Sequence, residues 1–198
     1  FAIGHHNGTS YAERFRIASD GSLSTPTLGT SNVRFGVNAG NSIESGGNYN
    51  VVVGDEAGTA ITTGDSNVAL GYQAGASLTG GNSNVAIGYQ ALLTEDSYGA
   101  NIAIGDSALK LQDSGATAYN IAIGHEAGSA ITTGVQNILI GGLAGDAITD
   151  QSNITAVGNT ALTANTSGQR GTAVGSAALA GNTTGDYNTA VGFTALQA

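Results

Sequence analysis

The chain has no cysteine, one proline and few charges. Without cysteine it holds neither a disulfide nor a thiolate-metal centre, and it carries no signal of redox compartment. A single proline, Pro26, excludes a proline-rich disordered linker. No apolar run approaches the roughly 18 residues of a membrane-spanning helix, and no signal-peptide pattern is visible. Positive charge is the scarcer sign: Lys and Arg total 5 against 14 Asp and Glu, a formal net charge of −9. That balance argues against nucleic acid and anionic membranes as partners.

Glycine, in contrast, is abundant and placed with a long period. Gly36, Gly54, Gly71, Gly88, Gly105, Gly124, Gly141, Gly158, Gly175 and Gly192 follow one another at gaps of 18, 17, 17, 17, 19, 17, 17, 17 and 17 residues. Alanine stands three residues after each of them, from Ala39 to Ala195, and Asn stands four residues before eight of the ten. Fixed-period self-similarity means that each repeat is one structural unit stacked on its neighbours. The scarcity of charge agrees with this. Equivalent positions of stacked coils lie about 4.8 Å apart, so a repeated charge would sit on itself.

Within a repeat such as Asn84-Val85-Ala86-Ile87-Gly88, the residues three and one before the glycine are Val, Ile, Leu, Phe or, in the last three repeats, Thr155, Thr172 and Thr189 at the earlier position. Side chains alternate along a strand, so these two share a face, and that face is expected to fill the coil. The residue between them is Ala in seven of ten repeats, the others being Arg34, Val52 and Leu139. A solvent-facing strand position should be polar. An outward alanine column therefore predicts a second covered face, and so an oligomer packed around a common axis.

The glycine is expected to end this strand in a tight or left-handed turn, and the Ala three residues on to start a second short strand. The Asn column should form a ladder to the backbone or to its own copies. Ten coils at roughly 4.8 Å each make a rod of about 50 Å, whose last three coils should be the loosest because Thr replaces Val or Ile.

Residues 1–31 read differently. Glu13 to Ala18 alternates polar and apolar side chains and is followed by Asp20-Gly21, a hairpin signal. Arg14, Arg16 and Arg34 are read as a solvated strand face.

Few residues suggest chemistry. His5-His6 reads as a polar turn before a metal site, and His125-Glu126 as a surface pair. Asp96 and Asp113 share one repeat slot that elsewhere holds Thr62, Thr79, Thr132, Thr149, Thr166 and Thr183; calcium between turns is an alternative there, but no Gly-Gly-x-Gly-x-Asp repeat supports it. The threonine column is read as a loop-hydroxyl ladder rather than an ice-binding face. Tyr72, Tyr89 and Phe193, with Tyr49, Tyr119 and Tyr187, suit packing between coils or chains, or sugar contact. No nucleotide loop, nucleophile elbow or metalloprotease helix is present. No catalytic, cofactor-binding or metal-binding residue is assigned, and no cofactor is expected.

The segments Asn84 to Gly88, Asn101 to Gly105 and Asn120 to Gly124 resemble the head repeats of trimeric autotransporter adhesins, which are left-handed parallel β-rolls. The longer patterns Asn67 to Ala74 and Asn188 to Leu196, with Glu13 to Gly21, are more similar still to repeats of bacteriophage tail fibre proteins. Many such fibres end in a self-cleaving chaperone, which nothing in residues 1–198 matches, and residues 1–198 are expected to be a segment of a longer protein. The resemblance implies an all-β parallel β-solenoid, a left-handed β-roll or β-helix, as a homotrimer with close chain–chain packing. Residues 1–31 would be a connector and 32–198 the array. The implied function is a structural or receptor-binding segment of a phage tail fibre in the virion tail, contacting a host glycan or protein receptor; the alternative is a bacterial adhesin head or extracellular filament. An enzyme such as a polysaccharide depolymerase is not expected, since no acidic pair recurs.

Overall fold

The computed structural model describes residues 29–197 in full, and the backbone of residues 2–6, 11–17 and 23–24. Strand β1 (Ala2–His6) pairs antiparallel with β2 (Tyr11–Ile17), which pairs antiparallel with β3 (Leu23–Ser24). The alternating stretch thus forms its hairpin, with Arg16 opposite Ser24 and Ile17 opposite Leu23; the Asp20-Gly21 turn lies outside the described residues. His5 and His6 stand in β1 rather than in a polar turn.

From Val33 onward, ten three-residue strands, β4 (Val33–Phe35) to β13 (Thr189–Val191), form one parallel sheet in chain order. Each pairs in register with the next, as Val68, Ala69 and Leu70 do with Val85, Ala86 and Ile87. Ten strands enclose nine complete turns, a rise of about 43 Å at roughly 4.8 Å per step. The array is the expected parallel β-solenoid. Among the described residues there is no helix, and each coil has only one strand. The second strand expected at the later alanine is a turn instead: Ala74 N–H donates to the Gly71 carbonyl at 3.3 Å.

The turns need unusual backbone. All ten motif glycines have φ between +129° and +141°, a region only glycine enters freely. A Cβ at Gly71 would also lie 2.5 Å from the Gly88 carbonyl oxygen one coil on. The column is therefore glycine for two reasons, dihedral angle and close approach.

The strand faces are the reverse of the sequence expectation. The middle residue points into the coil: Ala69, Ala86, Ala103, Ala122 and Ala156 are fully buried. The flanking Val and Ile residues point outward and are partly or largely exposed. The reason is volume. The interior is also entered from the turns, by the Ala three residues after the glycine and by one large side chain. That side chain comes from one of two places. Where the fourth residue after the glycine is Leu, as at Leu92, Leu109, Leu162 and Leu179, the seventh is polar: Glu95, Gln112, Asn165 and Asn182. Where the fourth is Gly, as at Gly58, Gly75, Gly128 and Gly145, the seventh is Ile61, Leu78, Ile131 or Ile148, all buried. One leucine-sized group fills each coil, and only a methyl fits beneath it from the strand. Larger middle residues occur beside the glycines: Val52 reaches Gly40 and Gly58, and Leu139 reaches Gly128 and Gly145.

Two other expectations change with the inversion. Thr155, Thr172 and Thr189 lie on the outer face, so they leave no gap in the core; Ala156, Ala173, Leu162 and Leu179 beneath them stay buried. Arg34 is not on a solvated face. It is half-buried at the first coil and its Nε donates to the Ala39 carbonyl at 2.6 Å. Burial of the guanidinium lowers its pKa from the ordinary value.

The asparagine ladder is present and in most coils does both jobs. Asn67 Nδ2 donates to the Gly81 carbonyl at 2.7 Å, closing its own coil, while its Oδ1 accepts the backbone N–H of Asn84 at 2.9 Å. Asn50, Asn120 and Asn137 repeat the pattern. Backbone groups that three-residue strands leave unpaired are thereby satisfied.

Candidate functional site

Three surface features could carry function. The first is the outer face of the ten-stranded sheet. Two columns of side chains project from it, those three and one before each glycine. Phe35 is 51%, Leu70 43%, Ile138 38% and Val191 70% exposed. In-register parallel stacking makes these columns a continuous apolar strip. It is about 7 Å wide, two residues along the strand, and about 43 Å tall. Monomeric proteins seldom leave such a contiguous apolar surface uncovered.

The second feature is aromatic. Tyr72 and Tyr89 follow the motif glycines of adjacent coils and stack, with ring centroids 5.5 Å apart and planes 18° from parallel. Packing between coils thus accounts for this pair, although both rings remain accessible. Tyr187 instead accepts a hydrogen bond at its hydroxyl from Arg170 at 2.7 Å, and the guanidinium also lies 5.5 Å from its ring centroid. Tyr49, Tyr119 and Phe193 are exposed.

The third feature is the place where the array departs furthest from its 17-residue period. The coil between Gly105 and Gly124 is two residues longer than the standard 17. Its extra residues fall in the stretch Asp113 to Ala118, opposite the polar stretch Glu95 to Gly99 of the coil before. Three buried side-chain atoms lack a partner among the described residues, and all belong to these two coils: Glu95 Oε2, Asn101 Nδ2 and Gln112 Nε2. Asn101 is the ladder member whose own coil carries the insertion. The residue 14 on, whose carbonyl Asn67 and Asn120 use, is here Gly115, within the inserted stretch.

Glu95 occupies the seventh position of its coil and is fully buried. Its Oε1 accepts the Tyr98 N–H at 3.3 Å. Oxygen atoms of Glu95, Asp96 and Asp113 all lie within 4.8 Å of one another, with the two aspartates exposed. Burial pushes the Glu95 carboxyl up to about 7; the Tyr98 N–H opposes this, and the charges of Asp113 and Asp96 add to it. A shallow polar groove of about 250 Å³ borders the same coils, lined by Asn82, Ser83, Ser97, Tyr98, Gly99, Ala100 and Thr117. Sequence reasoning singled out Asp96 and Asp113 but passed over Glu95. The available signal was the polar residue at a slot where other coils carry Ile or Leu.

The remaining sequence candidates stay apart. His125 and Glu126 form an exposed contact of 3.9 Å, in keeping with a surface pair. The threonine column forms a hydroxyl ladder: Thr62, Thr132 and Thr166 each donate to the backbone carbonyl of the threonine one coil on, at 3.2–3.3 Å. The side chains of His5 and His6 lie outside the described residues.

Compared with family models, with curated proteins and with solved structures, the chain matches none.

Proposed function

We propose that this solenoid is a structural segment of a homotrimeric fibre, in which three copies bury their Val and Ile faces around a common axis. One observation supports the reading above others: the sheet's outer face is apolar over its whole height, with Val, Ile, Leu or Phe in seventeen of its twenty positions and Thr in three. The alanine column, which first suggested assembly, lines the coil interior and no longer supports it. The exposed columns beside it now do. An in-register strip of β-branched side chains is a repetitive, flat surface suited to an identical partner, and a symmetric closed assembly covers it in every copy.

On this reading the fibre is a phage tail fibre shaft or receptor-contacting segment, located in the virion tail, and not an enzyme. The rod sets reach, and three copies multiply weak contacts with a host glycan or protein receptor into avidity. A bacterial adhesin head or extracellular filament is the second reading, favoured by the Asn-Ile-Ala-Ile-Gly segments at 101–105 and 120–124.

The test contrasts two adjacent columns. Ile104→Glu with Ile123→Glu should leave circular dichroism unchanged and shift the molecular mass from trimer to monomer by light scattering. Ala103→Glu should abolish folding instead, because Ala103 is fully buried and an unpaired buried charge is strongly destabilising. A wild-type chain that is a stable monomer at micromolar concentration would overturn the proposal. Glycan-array binding then distinguishes a receptor-contacting segment from a plain shaft.

A further inference from the structure

We propose that Glu95, Asp96 and Asp113 form a calcium site that clips two adjacent coils together at the longest coil of the array. The inference is independent of any role in a fibre.

The array otherwise avoids stacking like charges. From Asn32 to the end, Asp96 and Asp113 are the only acidic residues at equivalent slots of adjacent coils, 17 residues apart. Six other coils place threonine there, and in four of them the hydroxyl donates to the next coil's backbone. Directly stacked carboxylates repel one another, and a third, Glu95, is added beside them. Among the described residues, no Lys, Arg or His forms an ion pair with any of the three.

The buried carboxylate is the second observation. Glu95 is fully buried, and Oε2 has no hydrogen-bond partner. An inward charge so placed is strongly unfavourable unless something compensates it. Its carboxylate also lies within 4.8 Å of both aspartates. Three oxygens at that limit surround a point about 2.8 Å from each, a few tenths of an ångström beyond a calcium–oxygen distance of 2.3–2.6 Å, and small rotations of the two exposed aspartates close the gap. The geometry brings a buried ligand from one coil and exposed ligands from two, with solvent free to complete the shell on the open side. Hard oxygen ligands with no histidine or cysteine select calcium or magnesium over softer metals. The variable number of solvent ligands and the exposed rim suit calcium, with affinity of order 10⁻⁴–10⁻³ M.

The two unpartnered amides, Asn101 Nδ2 and Gln112 Nε2, are donors and do not ligate. Binding across the Asp96–Asp113 step would hold the inserted stretch of the long coil against the regular coil before it, where the coil-closing Nδ2 bond of Asn101 is missing.

The experiment uses the 198-residue chain, stripped with EDTA, and titrates calcium chloride by calorimetry and by thermal melting. The expected result is one calcium per chain and a melting temperature several degrees higher in 10 mM calcium. Asp96→Thr with Asp113→Thr restores the residue of the other coils and should weaken binding at least tenfold while leaving the fold intact. Glu95→Gln should do the same. If that buried substitution fails to fold, the surface pair alone decides. No binding heat and no thermal shift in the wild type would overturn the proposal. So would an unchanged calcium response in the threonine pair, or an equal shift from sodium chloride at matched ionic strength.

Discussion

Cδ1 of Leu78 lies 2.8 Å from where a Cβ at Gly75 would sit. The two positions compete for one volume, and the other coils show the competition resolved either way. Gly75→Leu alone should overpack the coil, a change that typically destabilises by about 1–3 kcal/mol. Leu78→Asn alone should leave a cavity and a buried amide, losing about 2–5 kcal/mol as for Leu truncations. The double variant reproduces the arrangement of Leu162 and Asn165, whose amide bonds the Gly168 backbone on both sides. Gly81 stands at the matching position of the Leu78 coil. The double variant should therefore be more stable than the sum of the singles by more than about 1 kcal/mol in a denaturant double-mutant cycle. Strict additivity would show that the two slots are independent.

Two glycines with positive φ should behave differently. Gly88→Ala forces a Cβ at φ +134° against the Gly105 carbonyl. Strain alone should contribute about 1–3 kcal/mol, and the backbone collision more. Gly115, in the long coil, has φ +64° and open space around its would-be Cβ. Gly115→Ala should lose no more than the roughly 1–2 kcal/mol of a left-handed residue. Urea melts of the two variants measure the difference, and equal losses would contradict the close-approach argument.

Glu95 sets a pH dependence in divalent-free buffer. Its carboxyl is pushed up to about 7 from an ordinary value of 4.5. Between those values the native state holds a proton that the unfolded chain has released. Stability should therefore fall as pH rises from about 4.5 to 7 and level off above. The melting temperature in EDTA should follow this course, and Glu95→Gln should flatten it. A wild-type profile as flat as the variant's would mean that Glu95 is solvated in the native state.

The sequence carried much of this arrangement in its spacing. The 17-residue period, a strand before each glycine and the in-register sheet could all be read from the repeating Asn-x-x-x-Gly-x-x-Ala pattern, although the second strand expected at the alanine is a turn. The ladder role of Asn67 was also legible, because an amide repeated at one slot has both its own turn and the next coil within reach. The acidic pair Asp96 and Asp113 was visible as an exception to the threonine column. Glu95 left a fainter mark, a polar residue at a slot that other coils fill with Ile or Leu, because nothing in a local window says that the seventh residue of a turn points inward.

What the sequence left undetermined was the sense of the strand. A three-residue strand such as Val85-Ala86-Ile87 alternates, but alternation has no sign, and hydrophobicity alone assigned the larger pair to the interior. The tertiary structure decided otherwise, because the interior is filled from across the coil by Ala91 and by Leu92 or its equivalents, leaving room for one methyl. The reciprocal choice of Leu at the fourth position or Ile and Leu at the seventh is written in the sequence. Only the closed coil shows that both reach the same point in space, and that this excludes the valines and isoleucines to the surface.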